Sequence, residues 1–148
     1  MRIAVAASRF NDLITDRLVA GARDALVRHG IEEDSVTVVW APGAFELPLV
    51  AQRLVASGDH DAVVCVGAVV RGSTDHYEHV CTQAASGILR VGLDTGVPVV
   101  FGVLTTDTTE AALDRSGGKL GNKGFEAAAT AIEMVDLLRQ LPKSQGPA

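Results

Sequence analysis

The sequence predicts an α/β protein in which a four-stranded parallel sheet is covered by helices on both faces. Four short apolar runs, rich in valine, alternate with segments whose apolar residues recur at helical spacing. Strands that are apolar throughout are typical of parallel sheets, because helices bury both faces of such a sheet. With 148 residues, 47% of them hydrophobic, the chain is long enough for one domain with a substantial core.

The predicted strands and helices follow one another without a linker or an internal repeat. The first helix should end at His29 and Gly30, since glycine accepts the left-handed conformation that closes many helices. The second carries Pro48 in its first turn, where proline is tolerated, and the third covers residues 80–93 and ends before Gly96. Strands are expected at residues 3–7, 35–40, 62–66 and 98–104.

The C-terminal part of the chain should contain a short helix, a glycine-rich segment and a long helix. Asp107 and Glu110 have capping-box spacing, which predicts a short helix to Arg115. Residues 117–124 are expected to form a flexible basic hinge, and the last helix is predicted from about residue 125 to residue 141. We therefore expect one domain over residues 1–141 and a flexible tail over residues 142–148.

The stretch with the clearest chemical signal is GAVVRGSTDHYEH, residues 67–79. It follows a predicted buried strand and leads into a helix whose first-turn N–H groups lack intrahelical partners. Such a helix start attracts anions, because free donors and the positive end of the macrodipole meet there. Arg71, Ser73 and Thr74 add donors, and His76, at or beside the first turn, is a candidate proton carrier at pH 7.

Two other interpretations of this stretch are weaker. Residues 67–74 have the glycine spacing of a P-loop, but Ser73 stands where the phosphate-binding lysine belongs, which disfavours nucleotide hydrolysis. His76 and His79 could share a helix face and bind a metal, yet no third and fourth ligands stand out. We expect His79 to be a solvated first-turn residue.

Composition and charge exclude several classes of partner. The net charge of -5 offers no basic stripe for nucleic acid, and no stretch approaches the length of a transmembrane helix. Cys65 and Cys81 do not suggest a disulfide framework, and the first apolar run is too short for a signal peptide. We therefore expect a cytoplasmic protein.

The polar segments of the chain cluster at one end of the predicted sheet. In open parallel sheets, ligands bind beyond the carboxyl ends of the strands, where the strand order reverses. The segments that emerge there are residues 9–11, 42–46, 67–76 and 105–107, which are rich in glycine, proline, aromatic and polar residues. The distribution of polar residues and the general rule for parallel sheets thus both predict a site at the carboxyl ends of the strands.

Five motifs, in order along the chain, resemble those of the lumazine synthases. They are RFN at 9–11, PGAFELP at 42–48, GAVVRG at 67–72 followed by Thr74 and His76, GVLTT at 102–106, and GNKG at 121–124. The ordered set is far more specific than any single motif and covers nearly the whole chain. The resemblance implies a flavodoxin-like three-layer sandwich, assembled as pentamers or as sixty-subunit shells of pentamers. Many relatives carry an N-terminal extension, whereas this chain starts almost at its first predicted strand.

The resemblance also implies a reaction in riboflavin biosynthesis. 5-Amino-6-(D-ribitylamino)uracil would condense with 3,4-dihydroxy-2-butanone 4-phosphate through a Schiff base. Phosphate elimination and ring closure with loss of water would then give 6,7-dimethyl-8-ribityllumazine, with neither a metal nor a redox cofactor. The implied partners are these two small molecules, further copies of the chain, and riboflavin synthase.

The resemblance assigns roles to individual side chains. His76 would move protons, Phe10 would stack on the pyrimidine, and Glu46 would accept hydrogen bonds from ribityl hydroxyls. Arg115 would clamp the phosphate with its planar guanidinium, and Phe101, which its strand position alone predicts to be a core residue, would reach a neighbouring subunit's site. The other implied substrate contacts are Ala44 and Phe45 at the ribityl chain, the backbone of Ala68, Val69 and Val70 at the pyrimidine, and Ser73, Thr74 and Lys123 at the phosphate.

Two other functions stay open at this point. An archaeal-type riboflavin synthase dismutates two lumazines, a reaction that gives no role to the phosphate-binding residues Thr74 and Arg115. A relative that has lost catalysis would bind flavin or form shells without turnover. The presence of Glu46, His76 and Arg115 disfavours that second alternative.

Overall fold

The computed structural model describes residues 1–143, and residues 144–148 of the predicted tail lie outside the described residues. The central strands are β1 (Ile3–Ser8), β2 (Val36–Ala41), β3 (Ala62–Val70) and β4 (Val99–Thr106). They form one parallel sheet in the order β2-β1-β3-β4. The strand order reverses between β1 and β3, as in flavodoxin-like sheets, so the predicted fold class is confirmed.

Helices cover both faces of the sheet. Because side chains alternate along a strand, Ile3 and Val5 are buried on one face, and Ala4 and Ala6 on the other. The first face packs against α1 (Asp12–Arg28) and α5 (Lys123–Gln140), and the second against α2 (Leu47–Ala56) and α3 (His76–Thr95). A short helix, α4 (Thr109–Asp114), follows β4. The three predicted layers are therefore present.

Glycines occupy the helix positions where a side chain would be costly. Gly30 and Gly96 follow α1 and α3 with φ angles of 88° and 72°, so both helices end where the sequence predicts. In the first turn of α5, a Cβ at Gly124 would collide with the carbonyl group of Leu18. Glycine at this position therefore allows α1 and α5 to pack closely.

Strand β3 is longer than the sequence predicts. It continues to Val70, so residues 67–70 are strand rather than the loop we expected. Their partners are residues 103–106 of β4, which pair with them in register. The strand pairing explains the difference, because Gly67 and Ala68 have low strand propensity and take their conformation from a neighbour distant in sequence.

Two expectations for residues 107–124 are wrong. The N-cap of α4 is Thr108, whose hydroxyl accepts a 3.0 Å hydrogen bond from the Ala111 N–H, so Asp107 and Glu110 do not form the capping box. The predicted flexible hinge instead contains two short antiparallel strands, β5 (Ser116–Gly118) and β6 (Gly121–Asn122), and α5 already begins at Lys123. The Asn122 side chain caps α5 by accepting a hydrogen bond from the Phe125 N–H.

The two thiols are free, as the sequence predicts. Burial within β3 raises the pKa of the Cys65 thiol to about 12, so this side chain stays protonated and behaves as a small apolar residue. No helix among residues 1–143 combines the length and the apolarity that crossing a membrane requires.

Candidate active site

A cavity of about 640 Å³, here called cavity A, opens beyond the carboxyl ends of β1, β2 and β3. This is the end of the sheet at which the sequence predicts a site, next to the reversal in strand order. Nine of the predicted site residues line it, namely Phe10, Ala44, Phe45, Glu46, Ala68, Val69, Val70, Thr74 and His76.

The floor of cavity A includes an open strand edge. Strand β3 pairs with β1 only as far as Val66, but it pairs with β4 as far as Val70. The segment from Ala68 to Val70 therefore has a strand neighbour on one side and cavity A on the other. An unpaired strand edge presents N–H donors and C=O acceptors in a fixed array, which suits a planar ligand that carries the same groups.

The turn after β1 carries an exposed aromatic ring to the cavity. Phe10 is 72% exposed, and its backbone N–H donates a 3.0 Å hydrogen bond to the carbonyl oxygen of Pro42. The next residue, Asn11, adopts a left-handed conformation with φ 63°, and its side-chain amide donates a 2.9 Å hydrogen bond to the carbonyl oxygen of Ala68. The turn is thus fastened to both neighbouring strands while the ring stays available to a ligand.

The turn after β2 brings a carboxylate to the opposite wall of cavity A. A short 3₁₀ turn over Ala44–Glu46 precedes α2, and both Phe45 and Glu46 are exposed. A Cβ at Gly43 would lie only 3.3 Å from Glu46 Oε1, so glycine there leaves room for the carboxylate. Glu46 can accept hydrogen bonds from hydroxyl groups of a ligand in the cavity.

The start of α3 supplies donors and the histidine. His76 is the first residue of the helix and is exposed, as is Thr74 before it. Among the described residues, the N–H groups of Gly72, Ser73 and Thr74 donate no hydrogen bond within the protein. Free donors thus precede a helix N-terminus, an arrangement that favours an anion. Within residues 1–143, Ser73 lies in this segment but lines neither cavity described here.

Arg71 is held by carboxylates rather than left free as an anion donor. Its Nε donates a 2.8 Å hydrogen bond to Asp107, and its Nη1 lies 3.7 Å from Glu78 Oε1. The guanidinium also stacks over the ring of Tyr77 at 4.5 Å. The side-chain hydrogen bond to Asp107 is the main reason that the pKa of Arg71 is raised.

Three predicted site residues line a second space, cavity B, of about 670 Å³. Cavity B runs beside β4, which is the edge strand of the sheet, and reaches the start of α5. Phe101, Arg115 and Lys123 line it, together with Asp107. Phe101 is half-buried: it packs against the core on the face that α2 and α3 cover, as its strand position suggests, and it also lines cavity B.

The chain matches the family model of 6,7-dimethyl-8-ribityllumazine synthase over residues 1–139 of its 148. It belongs to that family. Membership in the lumazine synthase family supports a place in riboflavin biosynthesis, and it agrees with the flavodoxin-like sheet described above.

Several residues that line or support the candidate site were not predicted from sequence. Asn11 directly follows the predicted Phe10, and its turn-forming character is a signal that could have been used. Tyr77, next to His76, lines cavity A. The pKa of its phenol is raised, mainly by burial and secondly by the neighbouring Cys81, so the phenol stays protonated. The bond between Arg71 and Asp107 joins residues 36 positions apart and has no local signal.

The two histidines of the α3 start both line cavity A. His79 is exposed, as the sequence predicts, and it lies at the cavity as well. Among residues 1–143, no three His, Cys, Asp or Glu side chains gather as a metal-binding group. Burial raises the pKa of the Cys81 thiol, so it lacks the reactive thiolate of a nucleophilic cysteine.

Proposed function

We propose that this chain is a 6,7-dimethyl-8-ribityllumazine synthase that condenses 5-amino-6-(D-ribitylamino)uracil with 3,4-dihydroxy-2-butanone 4-phosphate. One water leaves as the Schiff base forms, phosphate is then eliminated, and a second water leaves as the second ring closes. The observation that carries the proposal is cavity A, in which an exposed ring, an open strand edge and an anion-attracting helix start face one space. These groups match the aromatic, amide and phosphate parts of the two substrates.

The pyrimidine would bind between Phe10 and the open edge of β3. Its ring would stack on the exposed phenyl group, and its amide groups would pair with free backbone groups between Ala68 and Val70. The Ala68 carbonyl already accepts from Asn11, so the neighbouring backbone groups would make the main contacts. The ribityl chain would extend past Ala44 and Phe45, with its hydroxyl groups donating to Glu46.

The phosphate would bind at the start of α3. The free N–H groups of residues 72–74 and the hydroxyls of Ser73 and Thr74 supply donors without requiring a buried charge. His76, two residues after Thr74 and the first residue of α3, would take a proton from the substrate amine as the Schiff base forms and return protons in later steps.

The working unit would be a ring in which each site spans two subunits. Phe101, Arg115 and Lys123 line cavity B rather than cavity A, so one subunit would complete its neighbour's site in a head-to-tail contact. The outer faces of α2 and α3 expose Leu49, Leu89 and Leu93, which are 61%, 63% and 75% accessible. Apolar surface of this kind suits a subunit contact. We therefore propose a pentamer, which could assemble further into a sixty-subunit shell.

The decisive experiment supplies both substrates to the purified protein and follows lumazine by absorbance and phosphate release in parallel. Equimolar appearance of the two products is expected. If neither product exceeds the uncatalysed rate while the protein still binds the pyrimidine or a flavin, the protein is a non-catalytic relative. If lumazine supplied alone gives riboflavin, the protein is a riboflavin synthase instead.

A further inference from the structure

Residue 71 joins the two cavities through both its backbone and its side chain. Its backbone N–H donates a 2.8 Å hydrogen bond to the carbonyl oxygen of Thr106, and its guanidinium binds Asp107 at the same distance. Asp107 lines cavity B, whereas Val70 and Gly72, on either side of residue 71, line cavity A. The end of β4 is thereby tied to the wall of cavity A.

The segment that follows residue 71 depends on its two ends. Within the described residues, the N–H groups of residues 72–74 make no hydrogen bond in the protein, and their side chains are exposed. The position of this segment is therefore set by Arg71 on one side and by α3 on the other. The contact of Arg71 with Glu78 and the ring of Tyr77 reaches the first turn of α3, so one side chain fixes both ends.

The charge balance argues against Arg71 as the anion ligand itself. Two carboxylates, Asp107 and Glu78, lie within 4 Å of its guanidinium, at 2.8 Å and 3.7 Å. Asp75, at the start of α3, adds a third negative charge to the neighbourhood. An anion drawn to Arg71 would have to displace these carboxylates. An exposed ion pair of this kind contributes little to the free energy of unfolding. Its main effect should therefore be on the position of the segment 72–74.

We propose that Arg71 is a positioning residue that holds the anion-binding segment 72–74 in place through its bond to Asp107. This role rests on the proposed function, because it concerns the segment that would bind the substrate phosphate. Arg71 would act through backbone placement, as would Asp107, and neither side chain lines cavity A, where the reaction would take place.

The test measures inorganic phosphate binding to the assembled protein by calorimetry, with KM for each substrate and the midpoint of thermal unfolding. Arg71→Ala and Asp107→Asn should each weaken phosphate affinity by about threefold to tenfold, and the double variant should lose no more than the worse single one. KM for the butanone phosphate should rise in parallel, while KM for the pyrimidine stays near the wild-type value. Arg71→Lys, which can still reach Asp107, should lose less than Arg71→Ala.

Asp107→Asn separates positioning from electrostatics. Removing a negative charge near the anion segment should strengthen phosphate binding if Arg71 and Asp107 act only through their charges, so tighter binding by Asp107→Asn overturns the proposal. Arg28→Ala is the matched control, because Arg28 forms a 2.9 Å bond with Asp24 at the far end of α1. This control should leave phosphate binding unchanged.

The remaining outcomes also decide the question. Equal loss of affinity for both substrates, with a lower unfolding midpoint, would show that Arg71 is structural. A wild-type protein that binds phosphate but forms no lumazine refutes the proposed reaction and leaves the positioning test valid. Unchanged phosphate affinity in Arg71→Ala, or no phosphate binding by the wild type, refutes the positioning role.

Discussion

The side-chain amide of Asn11 donates a hydrogen bond to the carbonyl oxygen of Ala68, at 2.9 Å and across 57 residues of sequence. Through this bond the turn that carries Phe10 is fixed to the strand whose open edge lies in cavity A. The carbonyl oxygen of Asn11 also accepts hydrogen bonds from the N–H groups of Ile14 and Thr15 at the start of α1. One residue thus sets the spacing between the aromatic ring and the strand edge.

His76→Ala should lower kcat while leaving pyrimidine affinity nearly unchanged, because the role proposed for this side chain is to transfer protons and not to hold the ring. General acid–base groups contribute roughly 10²–10⁴-fold, and we expect the lower end because these substrates are reactive by themselves. Steady-state kinetics with each substrate varied in turn measures the effect. His60→Gln, at the opposite end of the sheet before β3, is the control. Wild-type turnover in His76→Ala would contradict the assignment.

Arg115→Ala should weaken the butanone phosphate and spare the pyrimidine. The variant would lose the proposed charge-assisted hydrogen bond to phosphate, worth about 1.5–3 kcal/mol, so KM should rise roughly tenfold or more. Lys119→Ala removes a cation from the adjoining hairpin that lines neither cavity A nor cavity B, and it should behave as wild type. If Arg115→Ala weakened both substrates equally, Arg115 would be structural.

Mixing two impaired variants should restore activity if each site spans two subunits, when the butanone phosphate is supplied below its wild-type KM. Phe10→Ala impairs cavity A, and Arg115→Ala impairs cavity B. Both changes are at exposed positions and should not disturb folding. After random exchange in equal amounts, about one interface in four regains both wild-type residues. The measurement is activity before and after subunit exchange, with exchange verified by mass spectrometry. No recovery, or a fully active monomer, would rule out a shared site.

Gly67→Ala should destabilise the protein by about 1–3 kcal/mol, the usual cost of overpacking. A methyl group at this position would collide with the buried Ser8 hydroxyl. That hydroxyl has no hydrogen-bond partner among the described residues, so Ser8→Ala should be tolerated and should recover part of the loss in the double variant. Urea unfolding of the four proteins gives the coupling, and additive effects would refute the predicted contact.

Cys65 should make the stability of the protein depend on alkaline pH. Burial raises the pKa of its thiol from 9.0 to about 12, so the folded state binds a proton that the unfolded state loses first. This contribution is fully present below pH 9 and is lost as the pH rises towards 12, with a slope of up to about 1.4 kcal/mol per pH unit. The difference in unfolding free energy between wild type and Cys65→Ala should shrink over that range. A constant difference would contradict the prediction.

The layers, the parallel sheet and the position of cavity A could be predicted because their signals are local. Short apolar runs mark the strands, and the segments that follow them carry Phe10, Glu46 and His76. Contacts between residues far apart in the sequence could not be predicted in the same way, because they leave only weak local patterns. The last four residues of β3 are strand because β4 lies beside them, and Asp107 binds Arg71 rather than capping α4.

The separation of the two cavities lies beyond any sequence pattern for a related reason. Arg115 and Lys123 were predicted to bind the same substrates as Phe10, yet in one subunit they line cavity B together with Phe101, which the resemblance assigns to a neighbouring subunit's site. Composition and periodicity describe a single chain. Cavity A of one subunit can meet cavity B of its neighbour only through subunit contacts, and the mixing experiment tests whether it does.

The open edge of β3 also affects how easily mutations could make this protein resistant to an inhibitor. A ligand bound at that edge would contact backbone atoms, which every amino acid carries, so a point mutation there would change a side chain but leave the contact in place. Only a substitution by proline would remove a backbone N–H, and proline at this position would also disturb the pairing of β3 with β4. Resistance would therefore have to arise at Phe10 or Glu46, whose side chains we assign to the substrate itself. A variant that resisted a compound bound at the strand edge would therefore also lose much of its own activity.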